Sequence, residues 1–338
     1  MQGTDRTSRR KHRFGDETLC VTVLFQVLNN YLYYPDHMFS EMENLMIRDI
    51  KSALYGYVRD ARSLLDTGSL PDERKVHDLR VLMKKARAVI RLAGPQTENE
   101  FAEREYSAFR KTGRISATWR ETSVNRKTLK NLKRNHPALF SRLAGFDEIM
   151  TIMKKSGICG PVPEKTKAGI ALIRELLLKS AYRIRFQPMN NLDPVLLLRQ
   201  LDSSFKQVSD CYLAARDNPR PARLHELRKR CKDLLYQLWF FRPIKPGVVK
   251  NLEKRLETMT DNLGKYNDLA VLLSGLDYKY SPGKNPPAID ELAIVIRHEQ
   301  DRLLSKVWPT AFRIFGPGKS LLSLLGIQPD MKRINDQA

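Results

Sequence analysis

Five side chains suited to gripping phosphate, His77, Arg80, Lys84, Arg87 and Arg91, recur at steps of three and four in "VHDLRVLMKKARAVIRLAGP". At about 100° per residue they fall inside a helical stripe roughly 80° wide, and the stripe is about 21 Å long. Val76, Leu79, Met83, Ala86 and Ile90 form an adjacent apolar stripe, so the cations occupy one face and are not scattered. Like charges three or four residues apart repel by about 0.2–0.5 kcal/mol per pair. No Asp or Glu stands within the stripe, so the compensating negative charge is expected from outside this helix. Arginine supplies a planar fork that holds phosphate oxygens in pairs, and lysine supplies a point charge.

A second stretch, "LHELRKRCKDLLYQLWFFRP", repeats the opening of the pattern. A shift of 148 residues places His77 on His225, Leu79 on Leu227, Arg80 on Arg228, Lys84 on Lys232 and Pro71 on Pro219. A charge run on a helix is ordinarily a solvated face, and a lone histidine is ordinarily structural. A solvated face has no reason to repeat His-x-x-Arg-x-x-x-Lys, which favours function. The copies are unequal. Leu235 and Trp239 stand where the first helix has Arg87 and Arg91, while Lys229 and Arg230 add charge nearby. The denser anion site is therefore expected in the first half. Whether the two helices face one another is left open by the sequence.

The elements that must position these ladders are helical. Apolar residues recur at helical spacing, as in Leu45, Ile47, Ile50, Leu54, Val58, Ala61 and Leu65, and no period-two strand series competes. Glycine and proline gather between periodic segments, at 67–72, 92–95, 156–163, 217–221, 242–247 and 281–287. The fold class is all-α, read as two tandem helical bundles. The organisation expected is a disordered basic arm over 1–13, a first bundle over 14–155, a linker and added helix over 156–190, a second bundle over 191–310 and a tail over 311–338. In each half a long helix, 42–66 and then 192–216, precedes the basic one.

The 338 residues are 42% hydrophobic and 29% charged, with a net charge of +21, which describes a folded chain attracted to polyanions. Cys20, Cys159, Cys211 and Cys231 form no CxxC pair, so reduced thiols in a cytoplasmic protein are expected, with no metal site and no cofactor. The longest apolar runs are too short for a membrane span.

The residues also carry a resemblance. His77-Asp78-Leu79-Arg80-Val81 with Lys84-Lys85 and Arg87-Ala88 resembles the first signature helix of the CHAD family, the conserved-histidine α-helical domain, and "LHELRKRCKDLLY" resembles the second. Leu263-Gly264 before Asn267-Asp268 is similar to the family's second-half segment, and "TWRETSV", with Arg120 and Glu121, is a weaker first-half counterpart. The resemblance spans about residues 42–310. It implies two four-helix bundles related by pseudo-two-fold symmetry, and binding of inorganic polyphosphate without catalysis, in association with polyphosphate granules. The anion-binding positions it implies are His77, Arg80, Lys84, Lys85, Arg87, His225, Arg228, Lys229 and Lys232. Arg91 joins them from the stripe itself. Leu235 departs from the family, which has a basic residue before the tyrosine matched by Tyr236.

Three functions follow from different chemistry. Polyphosphate offers charge at every unit and no base to stack on, which suits a rigid ladder of Arg and Lys. Nucleic acid is the competing polyanion, but a single-strand binder interleaves aromatics among its cations; the first stripe has none, and only Tyr236 and Trp239 accompany the second. Phosphotransfer or phosphoanhydride hydrolysis through His77 or His225 is the enzymatic alternative. Metal-assisted hydrolysis would want clustered carboxylates, and Asp78 and Glu226 point about 100° away from the histidines. A further cationic run, "RKTLKNLKRNHP" at 126–137, has no assigned role, and Trp119, Trp239 and Trp308 are expected in cores.

Overall fold

The computed structural model describes residues 47–65, 72–117, 119, 121–142, 164–189, 191–279 and 287–326. All belong to one contact unit, Leu45–Gln328. The basic arm expected at 1–13 and residues 156–163 of the expected linker segment lie outside the described residues. Among those described there are eleven α-helices and no strand, so the chain is all-α.

We number the helices α1 (Ile50–Ser63), α2 (Glu73–Ala93), α3 (Asn99–Ile115), α4 (Glu121–Asn135), α5 (Pro137–Arg142), α6 (Glu164–Phe186), α7 (Pro194–Asp217), α8 (Pro221–Leu238), α9 (Pro246–Lys279), α10 (Pro287–Phe315) and α11 (Leu321–Leu324). The two basic stretches are α2 and α8. The Asp72 side chain caps α2 by accepting from the Lys75 N–H at 2.7 Å. Glu73 in the first turn and Arg91 in the last complement the helix dipole. Pro221 starts α8, where its fixed φ suits the first helical position. Val76, Leu79, Met83, Ala86 and Ile90 are all 4% exposed or less, so the apolar stripe read from the sequence is the core face of α2.

Packing closes two rings of four. In the first, α1 packs on α2, α2 on α3, α3 on α6 and α6 on α1; in the second, α7, α8, α9 and α10 close in chain order. The first ring takes its fourth helix from the 156–190 segment, which therefore holds a bundle helix where a linker with an added helix was expected. The cause is the apolar row Ile173, Leu177, Ala181 and Ile184, buried at steps of four and three. Within this ring the Arg183 guanidinium of α6 reaches Glu105 of α3, whose side chain is fully buried. Conversely α4 and α5, assigned by sequence to the first bundle, pack on α9 and α10, burying Leu129, Leu132 and Phe140.

The rings join where α2 packs on α7 and α8. The Gln96 and Asp193 pair is reciprocal: the Gln96 amide donates to the Asp193 carbonyl at 3.1 Å, and the Asp193 N–H donates to Gln96 Oε1 at 2.7 Å. The Arg48 N–H donates to the Phe240 carbonyl at 3.0 Å. The tail expected over 311–338 begins inside α10, and its apolar "LLSLLGI" docks: Leu321, Leu322 and Leu325 are buried, α11 packs on α7, and Lys245 Nζ donates to the Gly326 carbonyl at 2.6 Å. The three tryptophans are half-buried; Trp239 lies under the Arg48 guanidinium at 4.0 Å and edge-on to Phe240.

Replacing Arg183 with Ala would strand the buried Glu105 carboxylate and is expected to cost about 3–5 kcal/mol, read from urea unfolding midpoints. A change within about 0.5 kcal/mol, as for an ordinary surface site, would mean that α6 is an appendage of the first ring.

Candidate functional site

The first ladder lies along the seam between α2 and α3. Arg80 Nη1 donates to the Gly113 carbonyl at 2.6 Å, and Arg91 Nη2 donates to the Tyr106 hydroxyl. The Arg91 guanidinium also sits over the Tyr106 ring, 4.9 Å from its centre. Arg87 Nε donates to the Met83 carbonyl at 3.3 Å, and Arg110 of α3 is close enough to act on its charge. Tyr106, Arg110 and Gly113 are spaced four and three apart, so one face of α3 runs antiparallel beside Arg91, Arg87 and Arg80. His77 is exposed near the start of α2, and Lys84 is half-buried. Lys85 stands on another flank, its Nζ 5.6 Å from the centre of the Tyr57 ring on α1.

The second ladder lies along the seam between α8 and α9. Arg228 Nε donates to the Thr260 carbonyl at 3.2 Å, the counterpart of the bond from Arg80 to Gly113. A Cβ on Gly264 would lie 3.1 Å from Arg228 Nε, so the glycine of the Leu263-Gly264 pair leaves the guanidinium room to reach that carbonyl. His225 Nδ1 lies 2.9 Å from Asn267 Oδ1. With the amide oxygen facing the ring, Nδ1 carries the proton and Nε2 is left as the outward functional nitrogen. Asn267, noted from sequence as part of the family-like segment, therefore orients the histidine. Lys232 Nζ is 3.6 Å from Asp261 of α9. Lys229 and Arg230 share Glu226, at 2.6 and 2.9 Å. Burial works against that carboxylate, but the hydrogen bonds from Lys229 and Arg230 hold it below its ordinary pKa. Arg230 reaches Gln207 on the far side, against α7.

The two basic helices face each other at their C-terminal ends. The Gln237 amide, buried, donates to the Ala88 carbonyl at 3.0 Å, and Arg91 Nη1 donates to Asp233 Oδ2. Pairing 88 with 237 and 91 with 233 makes the crossing antiparallel, so the two ladders approach it from opposite directions. The negative charge expected from outside α2 is supplied, at Arg91, by Asp233 of α8. Asp233 is 16% exposed and Arg91 28%. Burial pushes the Asp233 carboxyl above its ordinary pKa, against the pull of Arg91, Arg87, Arg230 and Lys229. Burial likewise pushes the Arg87 guanidinium below its ordinary value, with Tyr106 and Asp233 opposing the fall and Arg91 and Arg110 deepening it.

Sequence reasoning missed Asp233, Arg110, Tyr106 and Gln237. The only signal was Asp233 itself, an acid directly following Lys232 in a helix rich in cations. Arg120 and Glu121, the expected first-half counterparts of Asn267 and Asp268, have side chains outside those described. The cationic run noted at 126–137 falls mainly on α4. Its Lys127 and Arg134, with Lys265, line a cavity of about 360 Å³ opposite Glu73, Asp268 and Glu299, a surface of mixed sign. Among the described residues no group of three or more His, Cys, Asp or Glu side chains is placed to hold a metal ion, and no helix is long and apolar enough to cross a membrane.

A double-mutant cycle over Arg91→Ala and Asp233→Ala is expected to give a coupling of about 1–3 kcal/mol in urea unfolding. Additive single effects would show that the contact between the ladders does not hold the rings together.

Among protein families, the one described as CHAD domain matches residues 53–277, about two thirds of the chain. The match runs from α1 into α9 and stops short of α10, the helix that closes the second ring. No curated protein matches the chain.

Proposed function

The chain belongs to the CHAD family, and on that premise we propose that it is a non-catalytic binder of inorganic polyphosphate, recruited through that ligand to polyphosphate granules. The observation that carries the reading is the meeting of the two basic helices: the His77-to-Arg91 ladder and the His225-to-Lys232 ladder converge on one crossing. At the helical rise the first stripe is about 21 Å long and the second about 10 Å. A chain of phosphates lying along them would meet Arg80, Lys84 and Arg87 from one side and Arg228 and Lys232 from the other. A guanidinium has five N–H groups, so the carbonyl bonds of Arg80 and Arg228 fix those side chains without using up the donors. Lys85, over Tyr57, and Lys229, on Glu226, are peripheral contributors in this reading.

The aromatic residues favour phosphate chains over single-stranded nucleic acid. Tyr236 is mostly buried, its phenol pushed up to about 12 by that burial, and Trp239 is covered by Arg48. Neither is presented as a stacking platform. Catalysis has no comparable observation behind it: the group that orients His225 is the Asn267 amide.

Long-chain polyphosphate should displace single-stranded DNA and RNA from the protein at physiological salt and matched phosphate concentration. The combined Arg80, Lys84, Arg87, Arg228 and Lys232 to Ala variant should lose that binding and flatten its salt dependence, by about 0.7 in the log–log slope per contact removed. Even competition by nucleic acid would make the ladders a general polyanion surface. Replacing His77 and His225 with Gln should weaken polyphosphate binding about tenfold if each donates to phosphate; unchanged affinity would make both histidines structural.

A further inference from the structure

The crossing holds more arginine than one carboxylate balances. Arg91 is bonded to Asp233. Arg87, one turn earlier on α2, is half-buried and acted on by Asp233, Arg91 and Arg110 together. Arg110 comes from α3, outside both His-led motifs, and is exposed beside the half-buried pair. Arg91 and Arg87 thus flank a carboxylate delivered by α8, and Arg110 adds a third guanidinium beside Arg87 from the neighbouring face of α3. A carboxylate and a phosphoryl group offer arginine the same thing, oxygens that accept in pairs from a planar fork.

We propose that Arg87, Arg91 and Arg110 form a phosphoryl-oxygen subsite at the junction of α2, α3 and α8, in which the Asp233 carboxylate holds the ligand's place until a condensed phosphate arrives. This deepens the polyphosphate reading and rests on it. Without an anion the three cations would repel one another and splay. Asp233 keeps Arg91 and Arg87 converged, so that part of the subsite is organised before binding. The same carboxylate repels an arriving phosphate, which makes Asp233 a restraint on affinity as well as a brace. Arg110 and Asp233 therefore act on binding in opposite directions, while Arg104, a cation on the same helix as Arg110 but outside the subsite, should not act on it. Anchoring on Arg80 and Lys84, and on Arg228 and Lys232, raises the effective concentration of phosphate at the subsite and lets a long chain overcome the restraint.

The test is calorimetric titration of the full chain with sodium tripolyphosphate and with long-chain polyphosphate, using Arg110→Ala, Asp233→Asn and the control Arg104→Ala. Arg104 is paired with Glu100 on α3 and should leave binding unchanged. Arg110→Ala is expected to weaken tripolyphosphate about tenfold and Asp233→Asn to tighten it about tenfold, each the size of one charge-assisted contact. Wild-type affinity in both variants, or weaker binding by an Asp233→Asn protein of native helix content, overturns the subsite while leaving the polyphosphate reading intact. If Asp233→Asn does not fold, the contrast between Arg110→Ala and Arg104→Ala decides. If the wild type binds no polyphosphate of any length, the functional reading falls; tripolyphosphate binding that appears in Asp233→Asn would still support the subsite, and its absence there would remove that too.

Discussion

Two cationic helices can share an interface only if the contact itself is neutral or negative. At the crossing of α2 and α8 that condition is met by an alanine backbone carbonyl, a glutamine amide and one aspartate. Much of the arrangement depends on it. Because the helices cross in opposite senses at their C-terminal ends, the negative ends of both helix dipoles lie near the middle, where Arg87 and Arg91 benefit from them. At that centre the Asp233 carboxylate serves as counter-ion to Arg91.

The arginines and lysines of the ladders do different work. Arg80 and Arg228 each span from their own helix to a backbone carbonyl on the next, so each ties a seam together while carrying its charge at a set position. Lysine has no planar fork to divide between two tasks. Lys85 and Lys229 have settled on a tyrosine ring and a glutamate, contacts that hold a charge loosely at a surface. Gly264 belongs to the same logic: a side chain there would crowd the Arg228 guanidinium, so the residue matters for what it leaves open.

Periodicity made α2 legible before the structure, down to which residues face the core, because burial and helical spacing are tied in one segment. The repeat made the pairing of Arg80 with Arg228 legible for the same local reason. What escaped were relations between distant segments. Asp233 reads as an ordinary helix acid until Arg91, 142 positions earlier in the chain, is brought against it. Arg110 lies in a segment with no motif. The apolar row of α6 was visible as a helix, yet nothing local showed that it closes a ring begun at α1, or that α4 would leave the ring it follows in sequence. Asn267 was seen as part of a motif, but its hydrogen bond to His225 depends on the register of α8 against α9.

The interleaving of α4, α5 and α6 has a consequence for how the chain is made. Synthesis is vectorial, and domains generally fold as they emerge. Here the first ring waits for α6, while α4 and α5, already made, wait for partners in α9 and α10 that are translated on the order of ten seconds later at bacterial-like elongation rates. In that interval the apolar faces of Leu129, Leu132 and Phe140 have no native surface to cover them. A nascent chain built this way has a window in which a chaperone or a wrong neighbour can take hold, because two helices are made before the ring they cover.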